Sequence, residues 1–362
     1  MKVMFPNYEN CVVNLANSIR KHFGLEVYYS TLNDVDELLK KDYKNVVIIL
    51  YDGMGSHIFK KVLRNSFFNK HFKRSITSVL PSTTTASTTS IQTGLYPSEH
   101  NWLGWTIYME PIDKIVTLYT NKIKDTDIDA KEYHVGNKFI PYKTIVDEIN
   151  ENGEYQAYSL FPFGDNCYNN IDEMYEKIID ITKKSGKKYI YAYYDNPDGL
   201  MHEFGIGSNE MRENIKMLNR KTEAMCEKLD DTLVIITADH GHVDVSEINL
   251  DDYSDFKDTL DGDISIEGRC CSFKVKNKEM FELLFKKYFS KDFILKTHDE
   301  AIEEKIFGNG TNKYLNSTLG DYIAIGITNK MFSYTGLRDC KSAHAGVSNC
   351  EMEVPLIVVE KK

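Results

Sequence analysis

Short runs of β-branched and aromatic residues alternate along this chain with segments whose apolar residues recur every three or four positions. The first kind reads as strands buried on both faces, the second as helices that cover them. Val46 to Tyr51, Tyr189 to Tyr194, Leu233 to Thr237 and Pro355 to Val359 are strands by this criterion. Helices are predicted at Val12 to Phe23, ended by Gly24; at Ser56 to Leu63; and at Pro141 to Asn150, closed by Gly153. Two more follow. Ile171 to Lys184, closed by Gly186, places Ile171, Met174, Ile178 and Ile181 on one face, and Asn209 to Leu229 aligns Met211, Ile215, Leu218, Met225 and Leu229. This alternation predicts an α/β fold with a mostly parallel central sheet and helices on both faces.

The rhythm breaks twice. From Trp105 to Tyr119, aromatic and β-branched runs flank Pro111 and Asp113, which predicts a hairpin. After a charged loop from Asp251 to Asp263 come a strand at Cys270 to Val275, helices at Glu279 to Phe289 and Asp299 to Phe307, and a strand at Tyr322 to Thr328. We read residues 251–335 as a small α+β subdomain inserted into a core formed by residues 1–250 and 336–362. A chain of 362 residues, 42% hydrophobic, is long enough for one large domain with such an insertion.

Charge and cysteine usage narrow the possible partners. A net charge of −10 opposes a nucleic-acid polymer as ligand, because binding to a phosphate backbone needs clustered Lys and Arg. The seven cysteines are odd in number and scattered, so they form neither a disulfide framework nor a CxxC metal site. The N-terminal segment has no signal-peptide apolar region, and no stretch reaches the ~18 apolar residues of a membrane span. The expected setting is the cytoplasm, without a membrane partner. The sequence does not give an oligomeric state.

The chemistry lies in four separated constellations: Asp52 in VVIILYDG, Asp198 and His202 in PDGLMH, Asp239 and His240 in IITADHG, and His344 in SAHAG. Three of them follow an apolar strand, which delivers its carboxylate to the sheet edge where ligands of open α/β sheets gather. Three carboxylates and three imidazoles suffice for two metal sites of three ligands each, the pattern of catalytic zinc. The set suits Zn²⁺ better than a harder ion, with Mn²⁺ as the second choice. Between the first two constellations runs LPSTTTASTTSIQTGLYP, a Ser/Thr-rich loop entering a helix whose first N–H groups can face an anion. Its hydroxyls are candidate nucleophiles. His57, His100 and His242 have no motif position and read as supporting or surface residues.

With these motifs in this order, the chain resembles the alkaline phosphatase superfamily and, within it, the nucleotide pyrophosphatase/phosphodiesterase branch. That branch has a strand ending in Asp-Gly, a Thr nine residues before Thr-Gly-Leu-Tyr-Pro, a Pro-Asp-x-x-x-His pair, an Asp-His-Gly and a late His. Thr93 begins TGLYP here, so the resemblance implies Thr84 as nucleophile. It implies one metal among Asp52, Thr84, Asp239 and His240 and another among Asp198, His202 and His344. It also implies that Thr85 offers its N–H to the phosphoryl oxygens. The chain departs from the branch in EHNWLGW, where Trp105 stands near the place of an expected Asn. Asn101 is the candidate substitute, and Trp102 and Trp105 are candidate platforms for a nucleobase or aryl group.

The implied activity is two-metal hydrolysis of a small phosphodiester or nucleotide pyrophosphate through a covalent phosphothreonine. The alternatives on the same scaffold are a phosphomonoesterase, a phosphonate hydrolase or a phosphomutase; a catalytically idle metal- or nucleotide-binding protein is the alternative of another class. Sulfatase chemistry is disfavoured by the absence of Cys-x-Pro-x-Arg. No Arg or Lys lies between Ser75 and Asp113 to serve a dianionic monoester, which leaves Arg269 and Lys341 as candidate donors.

Overall fold

The computed structural model describes residues 1–333 and 339–362. The expected boundary between residues 335 and 336 lies outside them. A six-stranded sheet forms the core, in the order Phe72–Thr77, Glu353–Lys361, Thr232–Thr237, Asn45–Tyr51, Lys188–Tyr194 and Gln156–Leu160. Asn45–Tyr51 is central and pairs in parallel with both neighbours, Tyr51 opposite Tyr194 and Leu50 opposite Thr237. It is buried along its whole length, as an uncharged run flanked on both faces must be.

Five strands run in one direction and Glu353–Lys361 runs against them. His344 lies at the C-terminal edge, and only the short helix Asn349–Met352 separates it from that last strand. A chain that re-enters a sheet at the edge it has just reached, without a crossover, must run antiparallel. The central sheet is therefore parallel only in part.

A second, wholly antiparallel sheet has the order Phe293–Thr297, Tyr322–Gly326, Cys270–Phe273, Ser265–Ile266, Thr106–Met109, Lys114–Thr117 and Lys122–Ile123. The hairpin expected between Trp105 and Tyr119 thus joins the sheet of the inserted segment through Ile266 opposite Thr106. It shares an apolar cluster with that segment, including Trp102, Ile107, Val116, Ile266 and Ile323. The helix expected from Pro141 starts only at Ile145, because Thr144 caps it: the Thr144 hydroxyl accepts from the Asp147 N–H while the Asp147 carboxylate takes the Thr144 N–H.

The Ser/Thr-rich stretch forms the helix Thr84–Thr93, ended by Gly94 in the left-handed region. Its far end is anchored by the fully buried Arg20. That guanidinium donates to the Thr93 carbonyl at 2.9 Å and grips Glu148 with two bonds of 2.7 and 2.8 Å. A cation at a helix C-terminus meets the unsatisfied carbonyls there, so the helix is held from behind while its N-terminus faces the sheet edge.

Candidate active site

Asp52, Asp198 and Asp239 leave three adjacent strands at the same edge, and backbone bonds lock them together: Asp52 N–H to the Tyr194 carbonyl at 2.9 Å and Asp198 N–H to the Asp52 carbonyl at 3.0 Å. The glycines following two of the ligand positions are required by this closeness. A Cβ on Gly53, whose φ is +71°, would lie 3.1 Å from the Asp198 Cα, and one on Gly241 would lie 2.0 Å from the Cys350 carbonyl. Asp198 begins the helix Asp198–Phe204, so His202, four residues on, projects from the same face.

Around these carboxylates stand four imidazoles, not three. His202 Nε2 lies 3.5 Å, His344 Nε2 3.8 Å and His242 Nε2 2.5 Å from Asp198 Oδ1. His240 Nε2 lies 3.4 Å from Asp52 Oδ1 and 3.5 Å from Asp239 Oδ2. Each ring turns its Nδ1 to an oxygen outside the cluster: His202 to the Ser342 carbonyl, His240 to that of Gly241, His344 to that of Ser82, and His242 to the Ser342 hydroxyl. Ser342 Oγ donates onward to the Met201 carbonyl and so accepts from His242. In all four, a proton on Nδ1 leaves the Nε2 lone pair facing the carboxylates, which is how proteins prepare histidine for a metal.

Two groups have ligand atoms that all lie within 4.8 Å of one another: Asp198, His202, His242 and His344; and Asp52, Asp198 and His240. The fully buried Asp239 Oδ2 has no hydrogen-bond partner. A buried carboxylate oxygen without a donor is costly unless a cation fills the gap. Burial, then the charges of Asp239 and Asp198, push Asp52 well above the ordinary carboxylate range. Burial raises Asp239 as well. Asp198 goes the other way: burial opposes ionisation, yet His202, His242 and His344 hold it well below that range. His202 is correspondingly lifted to about 9 by Asp198, against the effect of burial. These residues fit divalent metal ions, whose charge would relieve the crowding of acids.

Of the threonines at the start of the helix, only Thr84 presents a partly exposed side chain; Thr83, Thr85, Thr88 and Thr89 are buried. Thr88 and Thr89 bond the carbonyls of Thr84 and Thr85, and Thr83 donates to Glu267. Thr84 Oγ1 lies 3.2 Å from His240 Nε2 and 3.4 Å from both oxygens of Asp52, while Tyr193 donates to Asp52 Oδ2 from the neighbouring strand.

The structure thus brings together Asp52, Thr84, Asp198, His202, Asp239, His240 and His344. It places the other expected residues differently. Asn101 is buried with its amide donating to Thr318 Oγ1, and Trp102 is buried, with its indole N–H on the Ile140 carbonyl, in the apolar cluster that the hairpin shares with the inserted segment. Trp105 is 47% exposed, packs edge-on against Tyr119 with ring centroids 5.8 Å apart, and lines a cavity of about 190 Å³ with His202, His344 and Glu267. Tyr119 in turn meets Thr88 Oγ1 at 3.2 Å. His100 is buried against Ser90, and His57 is largely buried away from these contacts.

Two participants were missed from sequence. His242 follows His240 by two residues, a spacing that an extended chain would put on one face and that was the available signal. Glu267 had none. Arg269 is no donor to this cavity: it is fully buried against Glu351, at 2.7 and 2.8 Å. Lys341 is exposed and paired with Asp339. Glu351 also accepts the N–H groups of Gly346 and Ser348, and so fixes the loop that carries His344. Glu351→Ala strands a buried guanidinium and is expected to cost about 3–5 kcal/mol of stability, read by urea unfolding. A loss below about 1 kcal/mol would mean that this ion pair contributes little.

A threonine hydroxyl between acids and imidazoles, at a helix N-terminus, suits attack on phosphorus, and fold and site together define a phosphoric ester hydrolase. Residues 46–305 match the family of type I phosphodiesterases / nucleotide pyrophosphatases, and the chain belongs to that family, in the alkaline phosphatase superfamily. Its fold is similar to that of murine ectonucleotide pyrophosphatase / phosphodiesterase 5, with a TM-score of 0.65 and 18% identity over 86% of this chain and 87% of that one. An inactive variant of the murine protein in complex with AMP superposes equally well, at 17% identity and the same coverage, as does the human protein at 16%. No curated protein matches the chain.

Proposed function

We propose that the chain hydrolyses a small phosphodiester or nucleotide pyrophosphate through a covalent intermediate on Thr84, with two divalent ions, Zn²⁺ by preference. One ion would be held by Asp52, Asp239, His240 and Thr84, the other by Asp198, His202 and His344. When bound, such ions supply positive charge to the phosphoryl oxygens and acidify the hydroxyl they hold.

The observation that carries the reading is the position of Thr84. It alone among its neighbours presents a partly exposed hydroxyl, with the carboxylate of Asp52 3.4 Å away as proton acceptor when ionised. Attack forms the bond from Thr84 Oγ1 to phosphorus and breaks the bond to the leaving alkoxide; water then releases the threonine and a phosphomonoester. The helix Thr84–Thr93 has no side chain capping its N-terminus, which leaves the first N–H groups to hold phosphoryl oxygens. The aromatic edge of Trp105 offers an apolar surface to the organic group. The AMP bound by the murine protein supports a nucleotide there. Seven free thiols support a reducing, cytoplasmic setting.

The charge around the cavity sets the expected substrate preference. Its only lysine or arginine among the described residues is Lys124, which donates to the Ile264 carbonyl at 3.0 Å and lies near Asp125 and Asp263. A monoester dianion carries one more charged oxygen than a diester and finds no further lysine or arginine there. With bis-p-nitrophenyl phosphate against p-nitrophenyl phosphate, kcat/KM is expected to favour the diester by at least about tenfold, or ~1.4 kcal/mol. Equal or reversed rates would shift the assignment to a phosphomonoesterase.

A further inference from the structure

A threonine at a helix N-cap ordinarily turns its oxygen to the N–H two or three residues on. Ser66, Thr144, Ser208 and Thr297 all do so at their own helices. Thr83, at the head of the helix Thr84–Thr93, does not, although its backbone is extended as a cap requires. Its hydroxyl instead donates to Glu267 Oε1 at 2.7 Å, across 184 residues of sequence. The same oxygen accepts the Trp105 N–H at 2.8 Å.

Glu267 stands in the tight turn between Ser265–Ile266 and Cys270–Phe273, in the second sheet. Two residues on in that turn, Arg269 grips Glu351 and with it the His344 loop. One turn of the inserted segment thus reaches both the nucleophile helix and a ligand loop of the core.

We infer that Glu267 is a positioning residue that keeps the phosphoryl seat open: by holding the Thr83 hydroxyl, it stops that side chain from capping the helix N–H groups that a substrate anion needs. The inference rests on the reading of Thr84 and its helix given above. Without the carboxylate, Thr83 is free to adopt its ordinary capping bond and competes with every phosphoryl group that binds, in ground state and transition state alike. Such uniform competition raises KM and leaves kcat.

The test uses the metal-loaded enzyme, with inorganic phosphate as competitive probe and a diester as substrate. Glu267→Ala is expected to raise the phosphate Ki and the KM about fivefold, the effect of one capping bond, while kcat and metal content hold. Glu267→Gln, whose amide oxygen still accepts both bonds, is expected to stay within about twofold of the parent. Adding Thr83→Val to Glu267→Ala should bring Ki back to within about twofold, because the competing hydroxyl is gone. An unchanged Ki in Glu267→Ala, or a rise that persists in the double variant, would overturn the inference. Should Glu267→Ala not fold, Glu267→Met fills the space without the acceptor and takes its place. Failure of the underlying reading shows separately, as activity retained by Thr84→Ala.

Discussion

Thr84→Ala is expected to lose at least about a thousandfold in kcat/KM, roughly 4 kcal/mol of transition-state stabilisation, while binding metal and unfolding like the parent. The effect is large because, in the proposed mechanism, both chemical steps use this oxygen: it forms the bond to phosphorus in the first and leaves it in the second. Nothing nearby can replace it. The hydroxyls of Thr83, Thr88 and Thr89 are committed to Glu267 and to the carbonyls of Thr84 and Thr85, and Thr85 is fully buried. Thr88→Ala should therefore cost less than about tenfold, since it removes only neutral hydrogen bonds, to the Thr84 carbonyl and the Tyr119 hydroxyl. Steady-state rates on a diester, with trapping of the phosphothreonine by rapid acid quench, check both variants. Thr84→Ala with more than a few per cent of parental activity would point to direct attack by water.

Removal of divalent ions is expected to abolish turnover and lower thermal stability, and restoration of two ions per chain to return both. Without them, the site holds the buried Asp52 and Asp239 and the partly exposed Asp198 in one cluster, with no hydrogen bond to Asp239 Oδ2. The pH dependence follows from the same crowding. Asp52 and Asp239 have folded pKa values raised by burial, so the metal-free fold keeps protons there that the unfolded chain has lost. Their contribution to metal-free stability is present below the unfolded value of about 3.9 and is lost as pH rises through the raised folded values. His202, lifted to about 9, has the same sign, and its contribution is lost as pH rises through that value. Asp198, held low, has the opposite sign: its contribution is present above about 3.9 and is lost as pH falls. A binding metal must displace the protons of Asp52, Asp239 and His202, so the increase in Tm on metal addition is expected to grow from pH 5 towards pH 8. Calorimetry across that range, with elemental analysis of the loaded protein, provides the measurement. An increment that is flat or falls with pH would mean that these groups do not take part in binding metal.

What the sequence determined is local. A short uncharged run of β-branched and aromatic residues reads as an interior strand, and a carboxylate within a few residues of its end emerges near that end; Asp52, Asp198 and Asp239 were legible for that reason. The i, i+4 spacing of Asp198 and His202 was legible because a helix puts those positions on one face. The tertiary structure decided whatever depends on the meeting of distant segments. It reversed the last strand, because His344 leaves the chain at the edge where that strand begins. It took the hairpin from Trp105 to Tyr119 into the inserted segment's sheet, because the hairpin's apolar face found its cover there. It buried Asn101 and Trp102 and left Trp105 half exposed, a distinction that three nearby polar and aromatic residues do not carry in their own identities. Glu267 and Thr83 illustrate the limit: neither residue type predicts the other 184 positions away, and only the closure of the two sheets brings carboxylate and hydroxyl within 2.7 Å. Local pattern fixes which face of an element is apolar, whereas side-chain partners across elements follow from the packing of those faces, a property of the whole chain.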